Sequence, residues 1–137
     1  MRSRSFSLNN IKPSFLFPFL WLIILTFLLA IPGNAFPKEN WLDKIWFDKW
    51  VHIGLFAIMV ILWCWAMLKI CSVGARLRTL FIWIGLASLV YGIGMEFVQK
   101  YFINNRSFDE GDIIADAVGC VLGVFFSRRR FIKNRPL

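Results

Sequence analysis

Val51-His-Ile-Gly-Leu-Phe-Ala-Ile-Met-Val-Ile-Leu-Trp-Cys-Trp-Ala-Met-Leu68 runs for eighteen residues without an Asp, Glu, Lys or Arg, and Lys69 closes it. As a helix it would rise about 27 Å, close to the ~30 Å of hydrocarbon in a bilayer. Apolar residues make up 58% of the 137-residue chain and charged residues only 18%. A soluble domain of this size could not hide that much apolar surface, so lipid is the expected solvent. The chain is read as a single domain.

Two further apolar runs have the same character. Phe15–Ile31 is interrupted only by Pro18 and Thr26, and Thr79–Val98 only by a few small or hydroxylated residues until Glu96. A fourth span is less direct, because Ala117–Phe126 alone is too short. Ser107-Phe108-Asp109-Glu110 reads as a capping box, with Ser107 as N-cap and Glu110 reaching back to its amide. A helix from Phe108 to Arg130 would be roughly 33 Å long, enough to cross. The expected fold is an all-α membrane bundle of four transmembrane helices, near residues 14–35, 50–69, 79–99 and 108–129.

Lys and Arg distribution orients such a bundle. Eleven basic residues and no acids fall in the amino end, the 69–78 loop and the tail; five bases and all eight acids fall in the other two connections. Both termini are therefore expected to be cytoplasmic, in a multi-pass protein of the cytoplasmic (inner) membrane. Gly33-Asn34-Ala35 could mark signal-peptide cleavage, but the first apolar run is longer than a usual signal core, which favours retention. Asn40–Trp50 carries Trp41, Trp46, Phe47 and Trp50 among charges, as interfacial segments do.

The charge of +8 does not indicate nucleic acid, since the bases flank apolar runs rather than interleave with stacking aromatics. Cys64, Cys71 and Cys120 form no C-x-x-C pair, so neither a disulfide framework nor zinc is expected. No cofactor-binding signature is present, nor G-x-S-x-G, H-E-x-x-H or a phosphate-binding glycine loop.

The chemistry-bearing residues come from three spans and meet at one depth. Asp48 and His52, the chain's single histidine, are four apart on one helix face, so the carboxylate is expected to orient the imidazole. Glu96 and Gln99 close the third span, Arg106 follows in the loop, and Asp112 and Asp116 are four apart on the fourth helix. Ionisable groups cost about 2.5–3.5 kcal/mol each at a bilayer centre and less near the interface, so they must pair or serve a function. His52 or Glu96 is the expected general base, with Lys49 and Arg106 holding an anion and Asp48, Gln99, Asp112 and Asp116 completing a binding site. His52, Glu96, Asp112 and Asp116 also offer a ligand set for a divalent cation, at a spacing that matches no recognised signature. The bland alternative is a non-catalytic scaffold whose polar network fixes helix packing. A proton-coupled transporter is disfavoured by the lack of an internal repeat. Glu39, Asp43, Asp109 and Glu110 read as solvated or capping residues. Gly119-x-x-x-Gly123 reads as a close-packing device, and Arg128-Arg129-Arg130 as a positive-inside anchor with some anionic-lipid contact.

From about Phe47 to Phe126 the chain resembles the VanZ-like family. The resemblance rests on the order and spacing of Asp48-Lys49-x-x-His52, Tyr91 with Glu96-x-x-Gln99, Arg106 through Asp112, and Asp112-Ile-Ile-Ala-Asp116-Ala-Val-Gly119-x-x-x-Gly123. It implies a small multi-span integral membrane protein. The family usually carries Asn where this chain has Asp116. Taken together, residues and resemblance lead to the expectation of an envelope protein that binds or modifies an anionic molecule, such as a lipid-linked wall precursor, at the outer membrane face.

Overall fold

A computed structural model describes residues 12–32, 46–71 and 75–133. It comprises four α-helices: α1 (Lys12–Leu29), α2 (Phe47–Met67), α3 (Ala75–Phe102) and α4 (Glu110–Ser127), the last running into a π-helical turn, Arg128–Lys133. No strand occurs among the described residues. At 21 and 28 residues, α2 and α3 are long and apolar enough to cross a membrane, with rises of about 32 and 42 Å. The apolar part of α1, Phe15–Leu29, is shorter, and α4 has Glu110 and Asp112 in its first turn.

Contacts along the helices give their directions. The Trp21 indole donates to the Leu55 carbonyl at 3.1 Å, and Phe15 meets Trp63 nearer the other end, so α1 and α2 are antiparallel. The Thr26 and Tyr91 hydroxyls are 2.8 Å apart, and Gln99 donates to the Leu29 carbonyl at 2.9 Å, so α1 and α3 are parallel. Successive helices thus alternate in direction, and Leu25, Phe56, Val60, Cys64, Leu77 and Phe81 fill the space between them. Cys64 and Cys120 are buried free thiols and Cys71 is half-buried.

The closest approach is between α2 and α4. A Cβ on Gly119 would lie 2.5 Å from the Ile53 carbonyl oxygen, and one on Gly123 would lie 2.8 Å from that of Ala57. Backbones in such contact tolerate no side chain between them, which is how the small-x-x-x-small spacing acts. Gly85 of α3 makes room for a side chain instead, since a Cβ there would lie 2.7 Å from the Val124 Cγ2 methyl of α4. The outward faces carry a different population. Ile23, Phe27, Trp83, Val90, Ile114, Val121 and Phe125 are all at least 60% exposed, an apolar surface far larger than water normally tolerates.

The start of α4 departs from the expected capping box. The N-cap is Asp109, whose Oδ1 accepts from the Gly111 amide at 2.7 Å, and the helix starts at Glu110. Ser107 lies outside it. The preceding loop turns through Asn105 at φ 58°, a conformation Asn adopts readily, and Phe108 packs on Phe97 with ring centroids 5.4 Å apart.

Candidate functional site: a buried His–carboxylate cluster

Helix α2 presents Lys49 and His52, three apart and so on one face. Helix α4, parallel to it, presents Asp112 and Asp116 toward that face, and α3 adds Glu96. The close backbone approach at Gly119 and Gly123 sets the register that makes these side chains meet.

His52 is 5% exposed and Asp116 1% exposed, and Nδ1 of the imidazole lies 2.8 Å from Asp116 Oδ1. With the carboxylate accepting, the proton sits on Nδ1 and the Nε2 lone pair is directed away from Asp116. Nε2 lies 3.7 Å from Asp112 Oδ2, too long for a hydrogen bond. Asp116 Oδ2 lies against Gly92 of α3, where an added Cβ would fall 2.5 Å from that oxygen. The buried carboxylate thus meets α2 through His52 and α3 at Gly92.

Asp48 does not hold the imidazole, contrary to the expectation from their i, i+4 spacing. Its side chain is 59% exposed and pairs with Lys49 at 2.9 Å. The reason is competition: Asp116 reaches Nδ1 from inside the bundle, where water does not weaken the bond, while Asp48 stays in solvent.

Lys49 gathers three carboxylates: Asp48, Asp112 at 2.5 Å, and Asp109. Asp48, Asp109 and Asp112 form, among the described residues, the grouping whose oxygens lie near enough to share a cation, all within 4.8 Å. That grouping differs from the His52, Glu96, Asp112 and Asp116 set expected from sequence. The Lys49 ammonium already bonds to all three, so it supplies the balancing positive charge itself.

Glu96 is 1% exposed, and its Oε2 accepts from the Asp109 amide at 3.0 Å. This ties the end of α3 to the start of α4 directly beside the histidine pair. Of the other residues expected in the binding site, Gln99 donates to the Leu29 carbonyl of α1, and Arg106 Nε donates to that of Ile31 at 3.3 Å. Glu39 and Asp43, like Lys38, Lys44 and Trp41, lie outside the described residues.

The residue that sequence reasoning undervalued is Asp109. It caps α4 with its side chain, donates its amide to Glu96, and shares Lys49 with Asp112. Asp and Ser are equally good N-caps, so the sequence alone did not separate Asp109 from Ser107. The hydrogen bonds from Lys49, opposed in part by burial and aided by the Gly111 amide, hold the Asp109 carboxyl below the usual carboxylate range. A folded-state pKa below the unfolded one means that Asp109 contributes stability above its unfolded pKa. That contribution is lost as pH falls from about 5 through the depressed folded value. Asp109→Asn should therefore flatten the acid limb of a thermal-stability profile, and an acid limb identical to the unmodified chain's would refute the assignment.

No family model matches the chain, and no solved structure matches it. Among curated proteins it is similar to an uncharacterized protein of Schizosaccharomyces pombe, at 30% identity over 92 residues. The match takes in 64% of this chain and 53% of the relative, so the chain spans about half the length of the curated relative it matches.

Proposed function

We propose that this is a four-span, VanZ-like protein of the cytoplasmic membrane, with both termini inside. In this reading the His52 cluster lies at the outer face, where it binds or modifies the polar headgroup of an anionic, membrane-embedded envelope molecule. The observation that carries the reading is the buried His52–Asp116 pair, with Nδ1 anchored at 2.8 Å and Nε2 left without a hydrogen bond among the described residues. A carboxylate that fixes the tautomer and presses the other nitrogen toward a reactant is the arrangement general-base catalysis uses.

Several features support the membrane setting. The exposed faces of α1, α3 and α4 are apolar, and the Lys49, Glu96 and Asp112 end of the bundle is opposite the Arg78 and Arg128–Arg130 end. The α1 helix is bonded to α2 and α3 through Trp21, Thr26 and Leu29, which favours its retention as a span over removal as a signal peptide.

Lys49 would receive the anionic part of the ligand. Its three carboxylate partners differ: Asp112 is 7% exposed, whereas the side chains of Asp48 and Asp109 are 59% and 46% exposed. An incoming phosphate or carboxylate would displace Asp48, the most exposed of the three and bonded to Lys49 alone among the described residues, and leave the buried Lys49–Asp112 pair intact.

The scaffold alternative also has an observation in its favour, since the Lys49 cluster joins α2 to α4 and Glu96 joins α3 to α4. Glu96→Gln separates the two. It keeps an acceptor for the Asp109 amide and removes the charge. Complementation of a strain lacking the gene should fail with this variant while its membrane level and melting temperature stay near those of the unmodified protein. Folded protein falling in step with activity, or full activity, would sink the proposal in favour of a packing role.

A further inference from the structure

A groove of about 860 Å³ runs between α3 and α4, from the Arg78 and Arg128 end of the bundle to the level of Leu89 and Ala117. Its walls are apolar, with Leu86, Leu89 and Val121 among them, and Gly85 and Ala117 leave its floor low. Three guanidinium-bearing residues close one end: Arg78 from the first turn of α3, and Arg128 and Arg129 from the π turn. All three are exposed, and the Arg129 guanidinium lies 6.0 Å from the centre of the Phe125 ring, a cation–π contact that holds it at the rim. The His52 site shares none of these residues.

We infer that this groove seats an acyl chain of an anionic phospholipid of the cytoplasmic leaflet, with the lipid phosphate on Arg78, Arg128 and Arg129. The inference rests on the membrane reading given above but not on any activity of His52. An apolar trough that ends in clustered arginines matches a molecule with an apolar tail and an anionic head, and guanidinium binds phosphate in a two-pronged geometry. Basic pockets between spanning helices on the cytoplasmic side are a recurring form of lipid recognition, and the volume falls within that of ligand clefts generally.

Charge decides against a second copy of the chain as occupant. No Asp or Glu occurs between residues 49 and 95 or after Asp116. A neighbour inserted in the same orientation would therefore bring its own arginines to this depth and no carboxylate to meet them. A phosphate supplies the missing charge.

The test uses the full chain reconstituted in nanodiscs of dioleoylphosphatidylcholine with a minor fraction of dioleoylphosphatidylglycerol, followed by native mass spectrometry of the lipid retained on release. One phosphatidylglycerol should be retained in preference to phosphatidylcholine by on the order of tenfold or more. The combined Arg78→Gln, Arg128→Gln and Arg129→Gln variant should bring the two lipids to parity. The same three positions changed to Lys should keep part of the preference, through charge without the two-pronged geometry, which controls for folding. Leu86→Trp, which fills the trough from an exposed position, should reduce retention of both lipids. Equal retention by the unmodified chain, an undiminished preference in the Gln variant, or a lipid-free dimer would overturn the inference. Failure of the chain to remain with the nanodiscs on gel filtration would instead sink the membrane reading, so the two failures are distinguishable.

Discussion

His52→Asn should lower activity in complementation by a factor on the order of 10²–10⁴, the range that a positioned acid–base group contributes, with little loss of folded protein. Asn is polar, smaller than His, and carries an N–H that reaches toward Asp116, so the buried carboxylate keeps a donor. What it lacks is a nitrogen that takes up a proton. Asp116→Asn then asks what the carboxylate adds. It preserves an oxygen to accept from Nδ1, but it removes the charge that stabilises a protonated imidazole. The expected loss is smaller than for His52→Asn, and the double variant should be no worse than His52→Asn alone, because groups that act as a unit are not additive. Losses that multiply in the double variant would mean that the two residues act separately, and the dyad would be abandoned.

The second large effect is structural. Gly119→Ala should destabilise the bundle by about 2–3 kcal/mol, at the upper end of overpacking costs. The added Cβ meets a backbone oxygen, Ile53 O at 2.5 Å, and also the Phe56 Cβ at 3.0 Å, neither of which can swing aside. Gly123→Ala meets Ala57 O at 2.8 Å and the Val60 Cβ at 2.8 Å and should cost nearly as much. Gly54 and Gly94 are the controls: a Cβ at either finds nothing within 4 Å. Ala there should be neutral or raise stability by about 0.5–1 kcal/mol through helix propensity. Thermal unfolding of the four variants in detergent tests the pattern. If the Gly119 and Gly54 substitutions prove equally harmless, the close approach of α2 and α4 is refuted.

These two predictions are linked, because α2 and α4 carry the site between them. Separating their backbones at Gly119 would move Asp116, one turn away, relative to His52. Gly119→Ala should therefore reduce activity as well as stability, although no side chain of the site is altered.

Much of this was legible before any coordinates. The apolar runs Phe15–Ile31, Val51–Leu68 and Thr79–Val98 marked helices α1 to α3 to within four residues at each end, because a helix in an apolar setting satisfies its own backbone and requires nothing else. The pooling of His52, Glu96, Asp112 and Asp116 at one end followed from alternating helix direction. The pairings inside that pool did not follow. Helical spacing placed Asp48 beside His52, yet the bond went to Asp116, 64 residues away. Spacing along one helix says which side chains share a face; it says nothing of which neighbouring helix presents a better partner in drier surroundings. Gln99 and Arg106 show the same limit, since their bonds to Leu29 and Ile31 depend on where α1 ends.

By itself, then, the amino-acid sequence determined an all-helical chain, the character of its faces and the end of the bundle at which its acids gather, since hydropathy and charge are properties of segments. Tertiary structure alone decided that Asp109 rather than Ser107 caps α4, that Lys49 is shared among three carboxylates, and that His52 is held by Asp116. Those outcomes turn on distances of 2.5–3 Å between residues on different helices. The contact of α2 and α4 at two glycines sets the Lys49 and His52 distances, and packing of α3 on α4 sets the Glu96 one; both contacts exist only once the bundle has formed.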